Sequence, residues 1–275
     1  MQPEGLTEEM ILKECERMGS DSRFTFECGK HLDCFTRCCT GVAIVLAPYD
    51  VVRLKRALGI NSREFLQRYT ISPFTKDQKV PAVLLRMNEE TGACPFVTPA
   101  GCSVYASRPW ACRMYPLGIA EPQHRTQENS PFHFLVQEDL CHGHGQGNGC
   151  TVREWIACQG AEEYDAGNTS FKALMLDDAW DGDQVLTPAL IDMYHMACYD
   201  LDRFRRFVFE SRLLDVVYVD EARVEAVRTD DEELLDFAMQ WLRFSLFRQK
   251  TMKIKPAAAE AAKRRMAERS AEGTV

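Results

Sequence analysis

The chain has 275 residues, 45% of them hydrophobic, and carries a formal net charge of -8. That length and apolar content build a real core in one large domain or two small ones, while the acidic balance argues against general binding to nucleic acid or to anionic membranes, both of which recruit clustered Lys and Arg. No stretch offers about 18 uninterrupted apolar residues, and the first residues lack a cationic segment leading into an apolar one, so the sequence predicts a soluble cytoplasmic protein without a membrane span.

In chain order, Ile11, Cys15 and Met18 recur at helical spacing and predict a first helix over Thr7–Met18, with Cys15 facing a core. From Phe24 to about Cys158 the chain is rich in cysteine and loops. Within it Val42, Ile44 and Leu46 alternate as in a short strand. Pro48 then opens a helix that carries Val51, Leu54 and Leu58 and stops at Gly59. Asn61 and Glu64 form a capping box for a helix through Tyr69, and Val80–Met87 reads as a strand. Thr151 begins a helix that buries Cys158 beside Trp155. Further on, Thr187 and Pro188 begin a helix whose stripe runs through Leu190, Ile191, Tyr194, Cys198, Leu201, Phe204 and Val208, with Cys198 in the core. Val216, Val217 and Val219 suggest a short strand. A box at Thr229 and Glu232 opens a last helix through Leu234, Phe237, Ala238, Trp241 and Leu242, ending among Arg248, Lys250 and Lys253. The expected fold is α+β and mostly helical. An N-terminal helix (1–23) precedes an irregular cysteine-rich metal-binding module with a few short strands (24–160), then come a helical C-terminal region (161–255) and a flexible tail (256–275).

Twelve cysteines in a reducing compartment are poorly explained as disulfides, whereas thiolates are strong ligands for zinc and iron. Eight of them fall into two groups. FECGKHLDCFTRCCTG holds Cys28, Cys34, Cys38 and Cys39, and CPFVTPAGCSVYASRPWACRMYPLG holds Cys94, Cys102 and Cys112, followed later by Cys141. Four thiolates close a tetrahedral zinc site or hold a 4Fe–4S cluster, and ligands from both groups would staple residues 28 to 141 together. Cys34, Cys38, Cys112 and at least one of Cys94 and Cys102 are therefore expected at a common site. Cys38 and Cys39 are adjacent, so either two centres share the group or one of the pair is an outer or redox thiol. There is no C-x2-C knuckle, and the irregular spacing favours an iron–sulfur cluster over zinc.

Other side chains are candidates. His31, His142, His144 and Cys150 could add imidazole or thiolate ligands. Arg108 and Arg113 flank Cys112, where they either offset thiolate charge or serve as buried structural cations. Pro109 and Pro116 fix loop geometry, and Tyr105 and Tyr115 read as core. No Ser-His-Asp set is present, and the acidic residues of the C-terminal half read as solvated helix faces.

CFTRCC followed by IVLAPYDVVRLKRALG, then CPF, then C-x-V-Y-x-x-R-P-x-x-C-R-x-Y-P at Cys102 to Pro116, resembles the YkgJ-type cysteine-cluster family over roughly residues 24–145. In this chain the family's compact C-x2-C-x2-C-C is opened to C-x5-C-x3-C-C. The resemblance implies a zinc- or iron-chelating domain built on eight cysteines, here matched by Cys28, Cys34, Cys38, Cys39, Cys94, Cys102, Cys112 and Cys141. It extends distantly to flagellin lysine N-methylases, which implies iron–sulfur-dependent methyl transfer to protein lysine as an alternative. The chain has no G-x-G-x-x-G loop and no C-x3-C-x2-C motif. A zinc-stapled adaptor that meets a protein partner through its acidic helices is the other alternative.

Overall fold

The computed structural model describes residues 15–73, 79–121, 130–181 and 186–272. The chain is α+β and mostly helical, the strands among the described residues lying in two-stranded sheets, and it divides into two compact units, Met1–Trp180 and Asp181–Val275. Most of the expected first helix lies outside the described residues. Its last part, residues 15–18, is not helical: Met18 instead pairs as an isolated bridge with His133, and Cys15 is only half-buried.

In the first unit, strand β1 (Arg23–Phe26) pairs antiparallel with a later strand, His144–Thr151, with Phe24 opposite Cys150 and Phe26 opposite His144. Phe24 and Phe26 face inward and pack with Met18, Met114, Leu117, Val152 and Ala161. Helix α1 (Pro48–Leu58) begins at a proline, whose missing N–H is no loss there, and ends at Gly59 in the left-handed conformation. Helix α2 (Ser62–Tyr69) is capped as expected, the Asn61 side chain accepting from the Glu64 N–H at 2.9 Å. Tyr49 of α1 packs edge-on against Tyr164 of the helix Ala161–Gly167.

Residues 42–46 show the expected alternation, with Leu46 buried and Val45 56% exposed. They form a single bridge to Leu84 rather than a strand. The strand expected over Val80–Met87 shrinks to Leu84–Leu85, which pairs with Thr70–Ile71. Neighbouring backbone accounts for the rest: Leu46 donates to Val83 and Leu85 donates to Ile44. Cys158 is exposed rather than packed beside Trp155, and Tyr105 is 61% exposed rather than core, lying against the Arg108 guanidinium.

The second unit is a helical assembly. The long helix expected after Thr187 is two helices, Pro188–Cys198 and Leu201–Glu210. The break falls where Asp200 turns its carboxylate to accept from the Arg203 N–H and caps the second helix. The apolar stripe continues across the break, with Tyr194, Cys198, Leu201, Phe204 and Val208 all buried. The helix Asp231–Phe247 is capped by Asp230, not Thr229, and carries Leu234, Phe237, Ala238, Trp241 and Leu242 into the core. Phe204 packs on Trp241 at 5.2 Å between ring centres. Glu221–Thr229 is a further helix, and Arg205 satisfies its terminal carbonyls at Val227 and Arg228. Val217–Tyr218 pairs with Lys253–Ile254, and Pro256–Glu272 is helical. Among the described residues no helix is long and apolar enough to cross a membrane.

Candidate metal centre

The β1 pairing decides where the first cysteine goes. Register with the later strand carries on past Phe26, the Glu27 N–H donating to the Gly143 carbonyl at 3.1 Å, and so lays Cys28 beside the Cys141–His142 turn. Gly143 is needed at this crossing, because a Cβ there would stand 2.5 Å from the Glu27 carbonyl oxygen. From Gly29 the chain winds through successive tight turns, Leu32 onto Gly29, Phe35 onto Leu32, Arg37 onto Cys34. It then enters a single turn of 3-10 helix, Arg37–Cys39. Thr36, just before that turn, is left-handed at φ 69, a conformation that a β-branched residue rarely holds. Strained backbone of this kind persists where its surroundings over-determine it, and here it aims two adjacent cysteines.

Cys28, Cys34, Cys38 and Cys141 line one small pocket, together with Phe26 and Tyr115. Cys34 is buried, and its sulfur accepts from the His142 N–H at 3.3 Å. Burial pushes the Cys28 thiol up to about 11, with further push from charge at Cys38, Cys141 and Cys34. Tyr115 sits edge-on to Phe26 and donates to Glu138 at 3.2 Å. Its hydroxyl pKa is driven up by burial and by the neighbouring Cys141 and Glu138.

The other four thiols form a second group around Cys39. The Cys94 N–H donates to the Cys39 carbonyl at 2.8 Å, beside a bridge between Thr40 and Ala93, so Cys94 is pinned next to Cys39. Cys102 follows in the small hairpin in which Val97 faces Cys102. Cys112 arrives on the short helix Trp110–Met114, tied to α1 by the buried Asp50, which accepts from the Trp110 and Ala47 N–H groups at 2.8 Å each. Cys112 keeps surface open to solvent, yet protein packed about its sulfur pushes the thiol up to about 12, helped by charge at Cys94 and Cys102. Cys39 also feels charge at Cys94, Cys112 and Cys102, and Cys94 feels Cys102. These four lie close enough to feel one another's charge, and Cys112 also feels charge at Cys38. The groups adjoin at the vicinal pair: a hydrogen bond from Cys38 lowers the Cys39 thiol below its ordinary value and raises that of Cys38.

Of the thiols expected at a common site, Cys34 and Cys38 line the pocket with Cys28 and Cys141, whereas Cys112, Cys94 and Cys102 lie near Cys39, and Cys112 also feels charge at Cys38. Sequence spacing could not show this, because the sorting is made by the β1 pairing and the 3-10 turn. Cys150 lies opposite Phe24, with Cys158 and Glu154 as its charged neighbours, apart from both groups. His31 faces Glu27 at 3.7 Å. His142 is bound through Nδ1 to Asp33 at 2.6 Å, and the ligand atoms of Asp33, Cys34 and His142 all lie within 4.8 Å of one another. The buried His144 Nε2 has no hydrogen-bond partner among the described residues, and its ring packs edge-on to Phe26.

Arg113 donates to the carbonyls of Arg108, Gln159 and Ala106 and to the Tyr164 hydroxyl. Arg108 donates to the Tyr105 carbonyl and to Gln159. Arg113 holds the Cys112 segment by its backbone, and Arg108 does both things that the sequence left open, bonding to neighbouring protein groups and feeling charge at Cys112 and Cys102. The site missed in the sequence is Asp50, whose position in an apolar helix face carries no signal of its tie to Trp110.

Eight sulfur donors with few oxygen or nitrogen ligands among them are a soft set, suited to zinc or to iron–sulfur clusters rather than to magnesium or calcium. Comparison with curated proteins gave no match, and comparison with solved structures gave none. Residues 27–142, which contain all eight of these cysteines, match the family model CxxCxxCC, described as a "Putative zinc- or iron-chelating domain".

Proposed function

We propose that this protein is an iron–sulfur protein whose clusters are held by the thiolates of Cys28, Cys34, Cys38, Cys39, Cys94, Cys102, Cys112 and Cys141. The observation that carries the reading is the gathering of eight thiols, from positions more than a hundred residues apart, into two adjoining groups inside irregular backbone. Irregular loops that bring so many thiols together take order from bonds to metal. Spacing favours the larger cofactor. The eight cysteines include no C-x2-C knuckle of the kind that sets the bite of a zinc site, and irregular spacing suits a cluster.

Anaerobic purification with elemental analysis tests this. The expected result is a brown protein with absorbance near 400 nm, iron and acid-labile sulfide. A colourless protein carrying stoichiometric zinc would overturn it. A second reading, mononuclear zinc at Asp33, Cys34 and His142, is favoured by their close approach. It competes with the first for Cys34, and it requires zinc content that falls in His142→Ala.

A further inference from the structure

We propose that the eight thiols form two separate four-thiolate metal centres, Cys28, Cys34, Cys38 and Cys141 in one and Cys39, Cys94, Cys102 and Cys112 in the other, standing on either side of the Cys38–Cys39 peptide bond. The inference rests on the thiolate metal-binding reading above and adds the number of centres and the ligands of each.

Three observations carry it. The first four thiols line one pocket, and none of the second four does. The second four are placed by backbone bonds of their own: Cys94 to the Cys39 carbonyl, Cys102 in the hairpin opposite Val97, and Cys112 on a helix anchored through Asp50. The vicinal pair divides between the sets. In a 3-10 turn, at three residues per turn, consecutive side chains leave the axis roughly 120° apart, so Cys38 and Cys39, although their thiols meet in a hydrogen bond, start out in different directions and can serve one set each. Their Cα atoms are about 3.8 Å apart across a trans peptide, which makes the two centres close neighbours. Two-cluster ferredoxins show the same economy of chain, a compact cysteine run lending one ligand to the other cluster.

The test uses the full chain, reconstituted anaerobically with iron and sulfide, and compares wild type with Cys141→Ser and Cys112→Ser. Wild type is expected to hold two centres' worth of iron, each single variant about half, and the double variant next to none. Electron paramagnetic resonance of the reduced wild type should show a spectrum broadened by coupling between two nearby spins, and each variant a simple uncoupled one. Wild type holding a single centre's worth, or either variant losing all its iron while its circular dichroism is unchanged, would overturn the division. Should one variant fail to fold, Cys28→Ser and Cys102→Ser replace the pair, and the wild-type count and spin coupling decide independently. Protein that takes up no metal at all would refute the functional reading itself. Two zincs per chain, halved in each variant, would refute iron–sulfur and support the division.

Discussion

The thiol of Cys198 lies wholly inside the helical unit beside Tyr194, and burial drives its pKa well above the ordinary value. A thiol held protonated in apolar surroundings is inert and behaves as a small hydrophobe. Cys198→Ala should therefore leave metal content unchanged and destabilise the protein by about 1 to 3 kcal/mol, through lost packing and the loss of the Tyr194 contact. Denaturant titration with metal analysis checks this, with Cys112→Ala as the control that loses metal. One turn earlier on the same helix, His195 is held below its ordinary pKa, chiefly by burial and against the pull of Asp200 and Asp192. An imidazole that resists protonation when folded but accepts a proton near pH 6.5 when unfolded makes the unfolded state bind more protons there. Stability should then rise with pH through the interval between the lowered folded pKa and about 6.5. Urea midpoints measured across pH 5 to 7 should show this slope in wild type and a flatter one in His195→Gln, and equal slopes would refute it.

Elements that close on themselves were legible in the sequence, and elements that depend on distant partners were not. Helices α1 and α2 carry their own start and stop signals, Pro48, Gly59 and the Asn61 cap, and the structure has them at those positions. The bridge at Met18, the shrunken strand at Leu84–Leu85 and the helix break at Tyr199–Asp200 each depend on a hydrogen bond to a residue that periodicity does not reveal. The same limit applied to the site. The crowding of eight cysteines was readable in the sequence, but that Cys28, Cys34, Cys38 and Cys141 line one pocket depends on β1 and its strand partner. That pairing is vulnerable at one point. A methyl group on Gly143 would meet both the Glu27 carbonyl and the Phe26 ring, at 2.5 and 2.8 Å. Gly143→Ala should therefore destabilise the protein by about 1 to 3 kcal/mol. It should also lower occupancy at Cys28, Cys34, Cys38 and Cys141 more than at the Cys39 group, read as partial metal loss with the other centre's spectrum retained.

Over the whole chain, the two units have different sources of order. Asp181–Val275 has apolar stripes, side-chain caps and aromatic packing at Phe204 and Trp241. Met1–Trp180 has apolar cores around Phe24, Phe26 and Met114 and around Leu46, Leu54, Phe65 and Leu85, and on the proposed reading the loops that carry the cysteines take further order from metal. Chelation should accordingly raise amide hydrogen exchange over residues 28–46 and 93–116 and change it little over 188–247. Loss of protection throughout the second set on chelation would show instead that the chain unfolds as one cooperative unit.

The 3-10 turn at Arg37–Cys39, entered through left-handed Thr36, belongs to both sets of thiols at once. Ordering that turn has an entropic cost, which is met once, by whichever site fills first. The second site then receives one of its ligands already fixed in place, so the two occupancies are thermodynamically linked even with no contact between the bound groups. On the proposed division, loss of either occupant leaves the other site able to fill but with a weaker grip, so a titration of the apoprotein with metal fills the second site more readily than the first.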